Sequence, residues 1–197
     1  MGMKFTKIPT TTFKELQLNA GVLVSEFTPG TGTIDSSNIL GATTGGISFS
    51  ATPSYTDMGD DVDNCPKNMM ELKRLDSWDI SISGTYVTVN TARAKSLIGA
   101  ADIGSSDTTL ITPRNDIQVA DFEDIWWVGD YSDKNGATNG GFIAIHLMNA
   151  LSTGGLQIKS GDKSKGQFSF EYTAHFSNAA QDTVPFELYI KAGTAES

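Results

Sequence analysis

"GQFSFEYTAHFS", residues 166–177, alternates apolar and polar side chains along its length. Successive residues of a β-strand point to opposite faces of a sheet, so this period of two predicts a strand with one face in a core and the other in solvent. The predicted core face carries Phe168, Phe170, Tyr172, Ala174 and Phe176, and the predicted outer face carries Ser169, Glu171, Thr173 and His175. This is the clearest strand pattern in the chain.

The same period recurs through most of the sequence. Strand-like runs lie at 15–27, 47–58, 70–89, 124–132, 139–151, 154–160 and 185–191. The one helical pattern is "NTARAKSLIGAAD", which predicts a helix over 91–102 with Thr91 as its N-cap. With 20 glycines beside many serines and threonines, the sequence predicts a single mainly β domain over 1–197, a β-sandwich or barrel with one short flanking α-helix.

Two of these runs predict a long β-hairpin. The runs 47–58 and 70–89 are joined by "GDDVDNCPKN", and together they predict a protruding hairpin over 44–90. A Gly/Thr/Ser-rich stretch over 28–46 precedes the hairpin and predicts a loop or arm. The first residues, 1–12, are expected to form a flexible N-terminal segment.

The chain is acidic, with a formal net charge of -9 and a sequence pI near 4.5. No Lys or Arg occurs over 15–66 or over 115–133, and these stretches hold seven and six acidic residues. Such a charge opposes electrostatic binding to nucleic acid. It leaves two interpretations open, a solvated acidic surface and a surface kept negative for a function.

Chemistry-bearing motifs are scarce. Asp57, Asp60, Asp61 and Asp63 in "DMGDDVDN" could gather round Ca²⁺, but their order differs from that of an EF-hand loop, so an acidic hairpin tip is the favoured interpretation. We therefore expect no metal ion and no cofactor.

The sequence also gives little support for catalysis or for a membrane span. A carboxylate pair for glycoside hydrolysis could be drawn from Glu123, Asp124 or Glu171, yet in a chain this acidic such a pair arises by chance. Cys65 is the single cysteine, so no intrachain disulfide forms and a reducing compartment is expected. No stretch has the apolar length of a membrane span. We expect a protein that is not an enzyme and has no catalytic residues.

"DFEDIWWVGDYSDKNG", residues 121–136, places Trp126 and Trp127 side by side in a predicted strand. They must face opposite sides of the sheet, so only one can lie in the single core of a two-layer domain. Three explanations stay open for the other: it stacks on a sugar ring, it packs against another protein chain, or a loop of the same chain covers it.

Several segments, taken in order, resemble the major tail proteins, or tail tube proteins, of long-tailed phages (siphophages) that infect Gram-positive bacteria. They are "FKELQLNAGVLVSEFTP", "LKRLDSWDISISGTYVTV", "ITPRND", "DFEDIWWVGDYSDKNG", "NGGFIAIHLMNALSTGGLQIKSGDKSKGQFSFEYTAHFS" and "DTVPFELYIKAG". The resemblance runs from about Phe13 to Gly193 and rests on the order of the segments, not on a catalytic motif.

The resemblance implies a β-sandwich or barrel of the phage tail-tube type that assembles into stacked hexameric rings, forming a hollow tail tube. In that architecture a long hairpin from each subunit lines the bore, and genomic DNA passes through it to the host without specific binding. The implied location is the virion, after assembly in the host bacterial cytoplasm. The implied partners are further copies of the chain and, from the family alone, a tape-measure protein, a tail terminator and a distal tail protein.

Carried onto this sequence, the resemblance implies roles for three groups of residues. Candidates for lining the bore are Ser48, Ser50, Thr52, Ser81, Ser83 and Thr85. Candidates for a subunit or ring interface are Trp126, Trp127, Asp57, Asp60, Asp61 and Asp63. We expect one tryptophan in the subunit core and the other at an interface. The alternative function is a non-catalytic carbohydrate- or receptor-binding β-sandwich module that uses either tryptophan.

Overall fold

The computed structural model describes residues 7–132 and 140–194, and it is mainly β, with 46% strand and 11% helix. The strands among these residues are β1 (Gln17–Val24), β2 (Thr43–Asp57), β3 (Lys73–Tyr86), β4 (Ala101–Ile103), β5 (Ile111–Pro113), β6 (Glu123–Tyr131), β7 (Gly141–Ser152), β8 (Gln157–Lys159), β9 (Gln167–Thr173) and β10 (Phe186–Lys191). Helix α1 (Thr91–Ile98) follows β3, and 3-10 turns lie at Thr12–Lys14, Ser36–Asn38, Met70–Leu72 and Val119–Asp121. The prediction of a mainly β chain with one short α-helix is confirmed for the described residues.

The strands form two connected antiparallel layers. The rear sheet has the order β1-β6-β7-β10. The front sheet has the order β2-β3-β9-β8. β7 joins the two layers, because its last residues Leu151 and Ser152 pair with β9. β4 and β5 pair with each other beside α1. This arrangement is consistent with a β-sandwich.

One apolar core lies between the two sheets and the helix. Its buried members are Leu23, Ile80, Ile82, Tyr86, Leu97, Ile125, Leu147, Ala150, Phe170 and Tyr172. The alternation in β9 predicted two of them correctly, since Phe170 and Tyr172 are 3% and 1% exposed. Burying each large side chain of this kind stabilises the fold by about 1.5–3 kcal/mol.

A second apolar cluster covers the opposite face of the rear sheet. Its buried members are Val24, Phe27, Trp126, Val128, Phe142 and Ala144. Phe27 comes from the segment after β1, and its ring meets those of Trp126 and Phe142 edge-on, with centroids 5.7 and 5.2 Å away. Over β1, β6 and β7 the rear sheet is therefore packed on both faces by its own chain, whereas Leu188 and Ile190 on its edge strand β10 are more than half exposed.

The predicted long hairpin is confirmed. β2 and β3 pair in antiparallel register from Thr43 opposite Tyr86 to Asp57 opposite Lys73. The loop predicted over 28–46 ends earlier than expected, since residues 43–46 already belong to β2. Gly45 and Gly46 have φ values of 78° and 83° and form a bulge inside the strand, which is why this glycine-rich sequence was mistaken for loop.

The predicted helix is correct in position and too long. Gly99 ends it by adopting a φ of 86°, and its N–H donates to the carbonyls of Lys95 and Ser96. The residues after it form β4 instead of a last helical turn. The N-cap is Asn90, not Thr91, since the Asn90 side chain accepts a hydrogen bond from the Arg93 N–H at 2.8 Å.

Two other expectations are settled by position. β9 ends at Thr173, yet Ala174 packs against the main core as predicted, whereas Phe176 is 47% exposed and its prediction is wrong. His175 is half-buried instead of exposed, because its ring packs edge-on against Phe122 with centroids 5.3 Å apart. The predicted flexible segment 1–12 lies in part outside the described residues. No helix within 7–132 or 140–194 has the length and apolar character needed to cross a membrane.

Candidate assembly surface

The outer face of the hairpin is lined with hydroxyl side chains. Cross-strand partners share a face, and the register pairs Ser48 with Ser83 and Ser50 with Ser81. Ser50 Oγ and Thr52 Oγ1 also lie 3.3 Å apart on this face. The six predicted bore-lining residues therefore lie on one side of the front sheet: Ser48, Ser50 and Thr52, which are exposed, and Ser81, Ser83 and Thr85, which are half-buried.

β9 and β8 extend this polar face. Ser169, Glu171 and Thr173 pair with Thr85, Ser83 and Ser81, which confirms the outer face predicted for β9. The charged members of the face are Asp79, Glu171 and Lys159. The opposite face of the hairpin carries apolar side chains that pack on the main core: Ile47, Phe49, Ala51 and Trp78. The front sheet is thus amphipathic.

β2 is an edge strand. Over its 15 residues it pairs with β3 alone, as far as the described part of the chain shows. Proline has no N–H to donate, so Pro53 occupies a position whose nitrogen points away from β3. Ala51 and Phe49 share this orientation, because hydrogen-bonding direction alternates along an antiparallel strand. Their backbone N–H and C=O groups therefore face a free edge.

The connection after β2 forms an acidic tip, residues 57–64. The Asp57 carboxylate is hydrogen-bonded within this connection, where it accepts from the Gly59 N–H at 3.0 Å and the Asn68 N–H at 2.7 Å. These bonds lower the pKa of Asp57. Within 7–132 and 140–194, no three side chains of the His, Cys, Asp or Glu type are grouped so as to hold a metal ion. The other predicted tip residues are exposed: Asp60, Asp61 and Asp63.

Exposed apolar side chains surround the acidic tip. Between 46% and 82% of the surface of each is accessible, and they are Tyr55, Met58, Val62, Met70 and Leu75. A group of exposed apolar side chains at one end of a β-hairpin is typical of a contact surface.

Trp126 and Trp127 lie on opposite faces of the rear sheet, as predicted. Trp126 is 8% exposed in the second cluster, and its ring stacks almost parallel on His146 with centroids 4.0 Å apart. Trp127 is half-buried beside the main core, and its Nε1–H donates to the Ala20 carbonyl at 3.0 Å. The chain itself covers Trp126 through Phe27 and His146, and an interface role stays a prediction.

The carboxylates considered for catalysis have separate surroundings. Glu171 lies on the outer polar face of β9. Glu123 belongs to β6 of the rear sheet and accepts from Arg93 Nη1 at 2.7 Å. Asp124 accepts from the Asn149 N–H at 3.0 Å. The structure therefore does not bring Glu171 together with the other two.

A polar network that the sequence did not indicate fastens α1 to both sheets. Arg93 on the helix pairs with Glu123 of β6, and Ser96 Oγ lies 2.9 Å from the Tyr172 hydroxyl of β9. Burial lowers the pKa of Arg93, because it disfavours the charged form. The interactions of Arg93 with Glu123 and Tyr172 raise the pKa by more, so it lies above its ordinary value. Burial also raises the pKa of Tyr172. The one feature of the sequence that could have indicated this network is Arg93, which lies next to the apolar stripe of the helix.

Comparison with known proteins adds no relative. No family model matches the chain. No curated protein matches it either. Function therefore has to be inferred from the front sheet, its free edge and its tip.

Proposed function

We propose that this chain is a structural subunit that assembles with copies of itself into stacked hexameric rings, which form the hollow tail tube of a phage. The observation that carries the proposal is β2, a 15-residue edge strand on an amphipathic sheet. Natural proteins rarely leave so long an edge open, because it is a template for pairing with another chain.

Pairing between copies would complete the front sheet. At its other edge lies β8, which has only three residues, while the end of β7 and the turn after it cover β9 from Glu171 to Thr173 on that side. The β2 edge of one copy would therefore meet the outer edge of β8 in the next. Such head-to-tail contacts close into a ring when the rotation between copies allows it, and the closed barrel has no edges.

The polar face suits the lining of a DNA conduit. With the apolar face packed on the core, the hydroxyl face of the front sheet would point to the axis of the ring. This face consists mainly of serine and threonine hydroxyls, together with Asp79 and Glu171. It therefore has few positively charged side chains that could bind DNA phosphates. DNA would then pass without specific binding, in keeping with a net charge of -9 per copy.

The family resemblance supports the remaining parts of the proposal. They are a place in the virion after assembly in the host cytoplasm, and contacts with a tape-measure protein, a tail terminator and a distal tail protein. The alternative of a carbohydrate- or receptor-binding module has less support. Trp126 is 8% exposed with His146 stacked on its ring, so it presents little surface to a sugar.

Blocking the free edge tests the proposal. In Ala51→Pro the backbone donor at the edge is lost, whereas Ala51→Val adds a side chain of similar size and keeps the donor. We expect the wild type and Ala51→Val to form hollow tubes or six-fold rings in negative-stain electron microscopy, and Ala51→Pro to stay monomeric with an unchanged far-UV spectrum. Wild-type protein that stays dispersed at every concentration would refute the proposal.

A further inference from the structure

The two ends of the front sheet carry opposite charge. At one end, residues 57–76 include the acidic tip and hold six carboxylates against three basic side chains. At the other end lies the basic turn, residues 159–165, with the sequence "KSGDKSK", which holds three lysines against one aspartate.

Strand direction places these two segments at opposite ends. β3 runs from Lys73 at the tip to Tyr86, and β9 runs antiparallel to it with Phe168 opposite Tyr86. The basic turn leads into β9, so it lies beyond Tyr86. From the first to the last residue of β3 the strand spans about 40 Å, at about 3.3 Å per residue.

The outer carboxylates of the tip and the lysines of the basic turn lack an ion pair among the described residues. The ion pairs described within 7–132 and 140–194 involve none of the three lysines and none of the three outer aspartates of the tip. All six side chains are exposed: Asp60, Asp61, Asp63, Lys159, Lys163 and Lys165.

Apolar surface accompanies the charge at both ends. Met58 and Val62 at the tip are 55% and 54% exposed. Leu156 and Ile158, next to the basic turn, are 37% and 63% exposed. Each end therefore offers apolar side chains beside a charge of one sign, and the two signs are complementary.

We infer that the acidic tip of one copy binds the basic turn of a copy in the next ring. The inference rests on the proposed function and identifies the contact that stacks the rings. A filament repeats head-to-tail contacts between two different patches of one chain. Complementary charge at such a contact determines which surfaces meet and in which register. Salt weakens this attraction, because charges are screened over about 8 Å at physiological ionic strength.

Charge exchange tests this contact. One variant combines Asp60→Lys, Asp61→Lys and Asp63→Lys, and the other combines Lys159→Glu, Lys163→Glu and Lys165→Glu. Each variant alone has like charges at both ends, so we expect single rings and at least a tenfold loss of tube length by electron microscopy. Rings of the two variants, assembled separately and then mixed in equal amounts, meet with opposite charges at every contact when they alternate, and we expect this mixture to restore tubes. Circular dichroism of each variant checks the fold.

The outcomes separate the two proposals. If either variant alone forms tubes as long as the wild type, or if the mixture fails to restore them, the stacking contact is wrong while wild-type rings and tubes still support the proposed function. If the wild type forms neither rings nor tubes, the proposed function is refuted and the stacking contact with it.

Discussion

The rear sheet and the front sheet of this molecule differ in how far one copy completes them. Apart from its edge strand β10, where Leu188 and Ile190 are 51% and 55% exposed, the rear sheet is packed on both faces, by the main core on one side and by the second cluster on the other. The front sheet has one face on the core, a hydroxyl face that is bare, a free edge along β2 and an exposed tip. Residues that stabilise a copy and the residues proposed to join copies therefore occupy different places, and mutation can separate them.

The largest effect is expected in the second cluster. Trp126→Ala removes a buried ring that contacts Phe27 and His146, and we expect it to lower the free energy of unfolding by about 3–5 kcal/mol. Trp127→Ala removes a half-buried ring with one hydrogen bond to Ala20, so we expect a smaller loss of about 2 kcal/mol. Urea unfolding of monomeric protein measures both values. Equal losses would mean that the two faces of the rear sheet are equally dependent on their tryptophans.

The sequence was sufficient to predict the tryptophan geometry only in part. Period-two alternation placed the two rings on opposite faces, because that follows from strand geometry alone. It could not identify Phe27 as the cover of Trp126, since Phe27 reaches the sheet through a loop whose path depends on tertiary packing. The same limit hid the contact between Arg93 and Glu123, which are thirty positions apart.

The next effect is expected where α1 joins the two sheets. Arg93→Met leaves Glu123 without its buried cation, and we expect a loss of about 3 kcal/mol in the free energy of unfolding. The double variant Arg93→Met, Glu123→Met removes both charges and should recover all but about 1 kcal/mol of that loss. Thermal or urea unfolding of the two single variants and the double variant completes the cycle. Additive losses would show that the two side chains do not depend on each other.

Element ends were harder to predict than element types. The apolar stripe of α1 continues to Ala101, so periodicity alone extended the helix to residue 102. Gly99, with a φ of 86°, interrupts it, and Ala101 is buried in β4 instead. In the hairpin, by contrast, all six predicted bore-lining positions share a face, because no bulge falls between Ile47 and Ser54 to shift the alternation.

The smallest effect is expected on the hydroxyl face of the front sheet. Ser50→Val changes an exposed side chain, so we expect the free energy of unfolding to stay within about 0.5 kcal/mol of the wild type. The matched control is Phe49→Ala on the other face of the same strand, where the lost ring packs against Phe186 with centroids 5.8 Å apart, and we expect a loss of about 2 kcal/mol there. Urea unfolding of both monomeric variants provides the comparison. A loss at Ser50 as large as that at Phe49 would mean that a single copy already buries this face. If the loss is absent, hydroxyl side chains on the outer face do not contribute to the stability of the copy, as expected of a face that lies outside the core.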